Sequence, residues 1–168
     1  MTTVFDDSML RSERLMLRRW CKDDAPWYVA SRDEAVFQWT TERRELTVAE
    51  TEAAIEAVNG SDDVVSLAIV DAADNNLLGN LALVLAPDEE TAEMMYWLAQ
   101  DGRGRGIATE SVQLVSEWAL ATLGLKTVWL KTRTDNVASQ RVAERAGYAR
   151  VVDDDEASWV LYELKTAV

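Results

Sequence analysis

Glu93-Met-Met-Tyr-Trp-Leu-Ala99 is followed by Asp101-Gly-Arg-Gly-Arg-Gly106 and then by a long run from Ile107 to Leu123. The first stretch reads as a strand and the second as a glycine–arginine turn. The third reads as an amphipathic helix, with Ile107, Ser111, Leu114, Val115, Trp118 and Leu123 near one stripe. Strand, glycine turn and helix N-terminus together make an anion cradle. Glycine lets backbone N–H groups approach a phosphate, and the helix dipole favours negative charge there.

Two familiar phosphate signatures do not fit. A P-loop needs Gly-Lys-Ser/Thr, and no Lys follows any of these glycines. A dinucleotide fingerprint needs glycines at relative positions 1, 3 and 6. Counted from Gly102 the sixth place is Ile107; counted from Gly104 it is Thr109.

What remains, Arg103-Gly-Arg-Gly106-Ile-Ala108, resembles the acyl-CoA pyrophosphate loop of the GNAT N-acetyltransferase superfamily. That loop reads Arg/Gln-x-x-Gly-x-Gly/Ala, and Arg103, Gly106 and Ala108 fill its defined places. The resemblance continues through a strand at Thr127–Thr134, Asn136-Val-Ala-Ser139 opening a helix, and Gly147-Tyr148 where the family has Gly-Phe. Glu13-Arg-Leu-Met-Leu-Arg18 resembles the chain start of the ribosomal-protein N-terminal acetyltransferase branch. Nearly the whole chain is covered.

The rest of the sequence is read in order. Residues 1–12 are polar and expected to be loosely held. Leu15–Trp20 alternates as a strand. Lys22-Asp-Asp-Ala-Pro26 starts a helix to about Arg32. Glu34–Leu46 has no clear period. Thr47 and Glu50 form a capping box launching a helix to about Val58, stopped by Asn59-Gly60. Val64–Val70 and Leu77–Leu85 are strands joined by a turn-rich hairpin, and Pro87–Glu90 is a further turn. Gly124 ends the helix after the glycine loop. Asn136 caps the last helix, which ends at a left-handed Gly147. Tyr148–Val152 and Ser158–Leu164 are the last strands, split by the acidic turn Asp153–Glu156. This predicts an α/β fold in one domain over 1–168: a mixed, mostly antiparallel seven-stranded sheet with four helices, in the GNAT order. The resemblance implies that strands four and five (93–99 and 127–134) splay apart to admit pantetheine.

Composition bounds the function. The 168 residues suffice for one real core. A net charge of −13 argues against a nucleic-acid binder and is compatible with cationic acceptors. Cys21 stands alone and there is no histidine, which rules out an internal disulfide and Cys/His metal clusters. No signal peptide and no membrane span are read, so a cytoplasmic protein is expected. Such a fold is compatible with homodimers, although no interface signature is visible.

The resemblance assigns acetyl-CoA as cosubstrate and a primary amine as acceptor, either a small molecule or a protein N-terminus. The reaction would be direct attack in a ternary complex. Backbone N–H groups of Arg103, Gly104, Arg105, Gly106, Ile107 and Ala108 are expected to face the pyrophosphate, with both arginine side chains adding charge-assisted bonds. The backbone of Trp97, Leu98 and Ala99 is expected to pair with the pantetheine amides, and an N–H near Leu98 to serve the oxyanion. Asn136 reads both as a helix cap and as a contact to the cofactor arm. The family's usual Tyr acid falls on Ala143, so Ser139 is the candidate proton donor, with Tyr148 the runner-up. Glu93 is the candidate base, and a chain of ordered waters is the alternative. Trp39 and Trp27 are expected to line the acceptor cleft, as are Trp20 and Trp97. Arg141 and Arg145 lie one turn apart and read as a solvated face, with approach to a cofactor phosphate as the alternative. Two alternatives remain open: a non-catalytic CoA-binding sensor or partner module, and a transferase using a longer acyl-CoA.

Overall fold

The computed structural model describes residues 10–88, 90–151 and 158–167. Among these residues eight strands form one sheet: β1 (Leu10–Arg11), β2 (Leu15–Arg19), β3 (Val64–Asp71), β4 (Leu77–Leu85), β5 (Thr91–Leu98), β6 (Thr127–Arg133), β7 (Ala149–Arg150) and β8 (Trp159–Lys165). Their spatial order is β1-β2-β3-β4-β5-β6-β8-β7. All neighbours are antiparallel except β5 and β6, which run parallel. Five α-helices accompany them: α1 (Ala25–Ser31), α2 (Glu34–Trp39), α3 (Val48–Asn59), α4 (Ile107–Ala121) and α5 (Val137–Arg145).

Alternation along the strands builds a core on each face of the sheet. Leu15, Leu17, Leu67 and Ile69 pack with Val112, Val115 and Trp118 of α4 and with Ala143 of α5. Met16, Ala68 and Val70 point the other way, to Trp20, Ala25 and Ile55 beside α1 and α3. Trp97 and Ala99 continue that second face with Val36 of α2. Burying both faces explains why β3 reads as the nearly unbroken apolar run Val-Val-Ser-Leu-Ala-Ile-Val.

The expected caps form. Thr47 accepts the Glu50 N–H while the Glu50 carboxylate accepts the Thr47 N–H. Gly124 and Gly147 take φ of 74° and 91°. Two elements exceed the expected seven strands and four helices. The strand β1 pairs Leu10 with Leu17 because Ser12 closes a tight turn, its hydroxyl accepting from Arg14 N–H and Leu15 N–H. That ordering reaches into the stretch expected to be loose. The helix α2 forms where the sequence shows no period, started by Asp33, whose side chain accepts the Val36 N–H at 3.2 Å. The first nine residues and the acidic turn 153–156 lie outside the described residues. Among the described residues no helix is long and apolar enough to cross a membrane.

Candidate active site

The site begins where β5 and β6 part. Their pairing covers only Thr91↔Thr127, Ala92↔Val128 and Glu93↔Trp129, while β5 continues to Leu98 and β6 to Arg133. The remaining halves diverge, which is the expected splay. Three hydrogen bonds fix which backbone groups face the gap. Ala99 N–H donates to Leu78 O at 2.8 Å and Ala86 N–H to Thr91 O at 2.9 Å, so odd-numbered β5 residues bond to β4. Lys126 N–H donates to Glu90 O at 2.8 Å, so even-numbered residues face the β6 side. The slot edge is therefore made by the backbone of Tyr96 and the N–H of Leu98, whose carbonyl accepts from Arg103. Of the other two residues expected to pair with pantetheine, Trp97 turns its backbone to β4, and Ala99 donates its N–H to Leu78 O and accepts from Gly102 N–H at 3.0 Å. The Leu98 N–H, expected to serve the oxyanion, lies on the gap side of β5.

At the mouth of the slot stands the glycine loop. Gly104 and Gly106 have φ of 72° and 76°, the left-handed region that favours glycine. Gly106 is the N-cap of α4 and supplies no side chain to it. The first-turn N–H groups of Ile107 and Ala108 therefore lack a side-chain cap, the arrangement that suits an anion. Glu110, the one acid of that turn, is tied away by Ser12 and lies 3.6 Å from Arg14.

The two loop arginines do not extend to where a pyrophosphate would sit. Arg103 folds back, donating to Leu98 O at 2.8 and 3.1 Å and bidentately to Asp33 at 2.7 and 2.8 Å. It holds the Asp33 carboxyl down at about 2. Arg105 donates to Asp71 at 3.0 Å and to Asp101 O at 3.3 Å. In so acidic a chain, carboxylates already stand beside both guanidinium groups. The groups of this loop left to meet an anion are backbone, and Arg103 is a strut between the loop, the end of β5 and the N-terminus of α2.

The helix α5 flanks the slot. Asn136 caps it, accepting the Ser139 N–H at 3.1 Å. The Ser139 hydroxyl accepts from the Tyr96 hydroxyl at 3.1 Å. Burial pushes the Tyr96 phenol up, partly offset by that bond. Sequence reasoning misses Tyr96. Its place in an apolar strand run reads as core, and only the three-dimensional facing of β5 and α5 reveals the contact. Tyr148 is placed differently from a slot residue. It is 4% exposed in the α4 core, its hydroxyl 2.7 Å from Ser116 Oγ, and burial pushes it up to about 12. The structure thus puts it where the family's Phe would pack.

The opposite face of β5 carries Glu93, Met95 and Trp97. Glu93 stands at the fork itself, opposite Trp129. Burial raises its carboxyl, and nearby Lys131 partly offsets this. Trp27 stacks between Trp20 and Trp97, with centroids at 6.2 and 6.1 Å, and Tyr28 meets Trp20 and Trp97 edge-on. Trp27 is thus wall rather than free surface. Trp39, at the end of α2, lies under the Arg133 guanidinium, 5.9 Å from its ring centroid. That contact joins α2 to the far end of β6 across the open side. A buried Arg32 sits between Tyr28 and Phe37 and donates to Arg43 O at 2.6 Å and Glu42 at 3.2 Å, fixing the segment after α2.

The chain and its fold match known proteins. The GNAT acetyltransferase domain model matches residues 14–149, and the chain belongs to that family. GNAT acetyltransferases use acetyl-CoA. The Bacillus subtilis (strain 168) protein called probable N-acetyltransferase YjcK is 33% identical over 89 residues. That match covers 52% of this chain and 49% of YjcK, so the aligned part spans about half of that relative. The fold is shared with RimL, the ribosomal L7/L12 alpha-N-protein acetyltransferase, in complex with coenzyme A. The TM-score is 0.82 at 20% identity, over 94% of this chain and 98% of that one. It is also shared with the Vibrio cholerae spermidine N-acetyltransferase in complex with CoA and spermine. There the TM-score is 0.76 at 16% identity, over 90% and 94%.

Proposed function

We propose that this protein transfers an acetyl group from acetyl-CoA to a primary amine by direct attack. The observation that carries the reading is the β5–β6 fork with an uncapped helix N-terminus at its mouth. An extended amide-bearing arm can add to the Tyr96–Leu98 edge as a strand would, and its diphosphate can meet the first turn of α4. When bound, the thioester supplies an activated acetyl group.

The chain's own groups divide the work by face. Leu98 N–H donates to the carbonyl oxygen as negative charge develops there. Ser139, on the α5 side, donates its hydroxyl proton to the departing sulfur, and solvent restores it. Glu93, on the opposite face and five residues back along β5 from Leu98, takes the proton that the amine loses through a chain of ordered waters. A carbon–nitrogen bond forms, the carbon–sulfur bond breaks, and one proton leaves nitrogen as one reaches sulfur. A carboxyl that burial raises from its ordinary value is better matched to that task.

The acceptor face favours a peptide N-terminus over a polyamine. Met95 and Trp159 are each 42% exposed there, an apolar shelf that neighbouring side chains of a peptide could cover. The acids near the fork bring cations of their own. Lys131 lies near Glu93 and over the Trp159 ring at 4.9 Å, and Arg133 binds Asp135 at 2.9 Å. Such paired charges offer a polycation little.

The test is acetyl transfer to a panel of peptides with free N-termini, spermidine and small monoamines, read as thiol release. Peptides carrying apolar residues behind the amine should show the highest kcat/KM. Preference for spermidine would contradict the acceptor reading. Acetyl-CoA binding without turnover on any amine would favour the CoA-sensor alternative.

A further inference from the structure

Two serine–tyrosine pairs stand among the described residues, and they differ in one respect. In the α4 core, Ser116 donates to the carbonyl of Val112 at 2.6 Å, one turn back, and meets the Tyr148 hydroxyl at 2.7 Å. That is the usual fate of a helical serine proton. At the slot, Ser139 occupies the first turn of α5, where Asn136 already takes its N–H. Among the described residues its hydroxyl makes no bond to a carbonyl one turn back. Its oxygen instead accepts from Tyr96 at 3.1 Å. A hydroxyl has one proton and two acceptor lone pairs. With a donor occupying the oxygen on one side, the single proton is left to point elsewhere.

We infer that Tyr96 is a positioning residue for the acetyl transfer, holding the Ser139 hydroxyl so that its proton is presented to the slot. This rests on the assignment of Ser139 as the donor to the departing sulfur. Two features make Tyr96 suited to the role. It lies on the slot-edge strand, two residues before Leu98, so the groups serving the carbonyl oxygen and the sulfur are set by one rigid element. Burial also keeps its phenol protonated across the working pH range, so the donated bond does not switch off. Donation onto Oγ polarises the serine O–H and makes it a better donor in turn. Tyr96 itself transfers no proton in this account.

The experiment is a double-mutant cycle of Tyr96→Phe and Ser139→Ala. It is read as kcat for the best peptide, with acetyl-CoA affinity measured by calorimetry. Tyr96→Phe removes one oxygen and leaves the ring volume, so the fold is kept. It should lower kcat by about five- to tenfold while acetyl-CoA affinity stays within about twofold, a split that a loosened slot would not produce. In the Ser139→Ala background, Tyr96→Phe should have no further effect. An equal loss in both backgrounds, or no loss in the wild-type background, would overturn the proposal for Tyr96. If Tyr96→Phe is silent while Ser139→Ala is slow, the assignment of Ser139 stands and only Tyr96 falls. If Ser139→Ala is as fast as wild type, the assignment of Ser139 fails and takes this inference with it.

Discussion

The two flanks of β5 are built from different materials. On the β6 flank the groups proposed to hold the cosubstrate are backbone: the Tyr96–Leu98 edge, the left-handed Gly104 and Gly106, and the uncapped first turn of α4. On the α1–α2 flank they are side chains: the Trp20–Trp27–Trp97 stack, Tyr28, Trp39 under Arg133, and Glu93 at the fork. A backbone site binds whatever presents a diphosphate and amides, so one geometry serves a constant cosubstrate. A side-chain site can be altered residue by residue, which suits an acceptor that differs between relatives. Arg103 ties the two flanks together through Asp33 and Leu98 O.

Damage to the backbone flank should have the largest effect. A Cβ at Gly79 would lie 2.2 Å from the Trp97 carbonyl oxygen, so Gly79→Val must push β4 from β5. It should cost more than about 2 kcal/mol in urea unfolding and weaken acetyl-CoA binding. A stable variant with normal affinity would break the link between β4 packing and the slot.

On the side-chain flank the effects should fall on rate and pH. The Glu93 carboxylate must be ionised to accept a proton, so kcat/KM should rise with pH through its raised value. Glu93→Gln should remove that acid limb and slow transfer by about a hundredfold. Lys131→Met removes the charge that holds Glu93 down, so the limb should move to higher pH, by less than about one unit. An unchanged profile in both variants would assign the proton to solvent waters instead.

Tyr148→Phe separates core from site. The bond to Ser116 is lost while the rate is kept, so stability should fall by about 1 kcal/mol with kcat unaltered. A loss of rate at full stability would return Tyr148 to the slot. The smallest effect is expected from Asp33→Asn. The Asp33 carboxyl is depressed to about 2, so its contribution is present above about pH 4. It is lost as pH falls towards 2, and the variant should converge on wild type there. The pair is more than a third exposed on the Asp33 side, so the difference at neutral pH should stay below about 1 kcal/mol.

The same contrast between backbone and side chain separates what is legible in the sequence from what is not. The cradle is legible because glycines at 104 and 106 and the apolar stripe after them follow from backbone demands. The capping box at Thr47 and the Asn136 cap are legible for the same reason. Pairing phase is not: strand patterns show which side chains share a face but not which N–H groups face a neighbour. Sequence reasoning therefore puts Trp97 and Ala99 at the slot in place of Tyr96. The roles of Arg103 and Arg105 stay hidden because their partners, Asp33 and Asp71, lie 70 and 34 residues away. The helix α2 has no visible signature because its six residues, which follow the Asp33 cap, carry two aromatics but no full apolar period.

The most direct measurement is calorimetric titration of acetyl-CoA into wild type and into Gly106→Glu. The substitution forces a side chain into φ of 76° and sets a carboxylate where the diphosphate should meet the α4 N-terminus. Wild type should bind with a Kd of about micromolar order, and the variant should show no detectable heat while remaining folded. Equal binding by both proteins would contradict the backbone cradle.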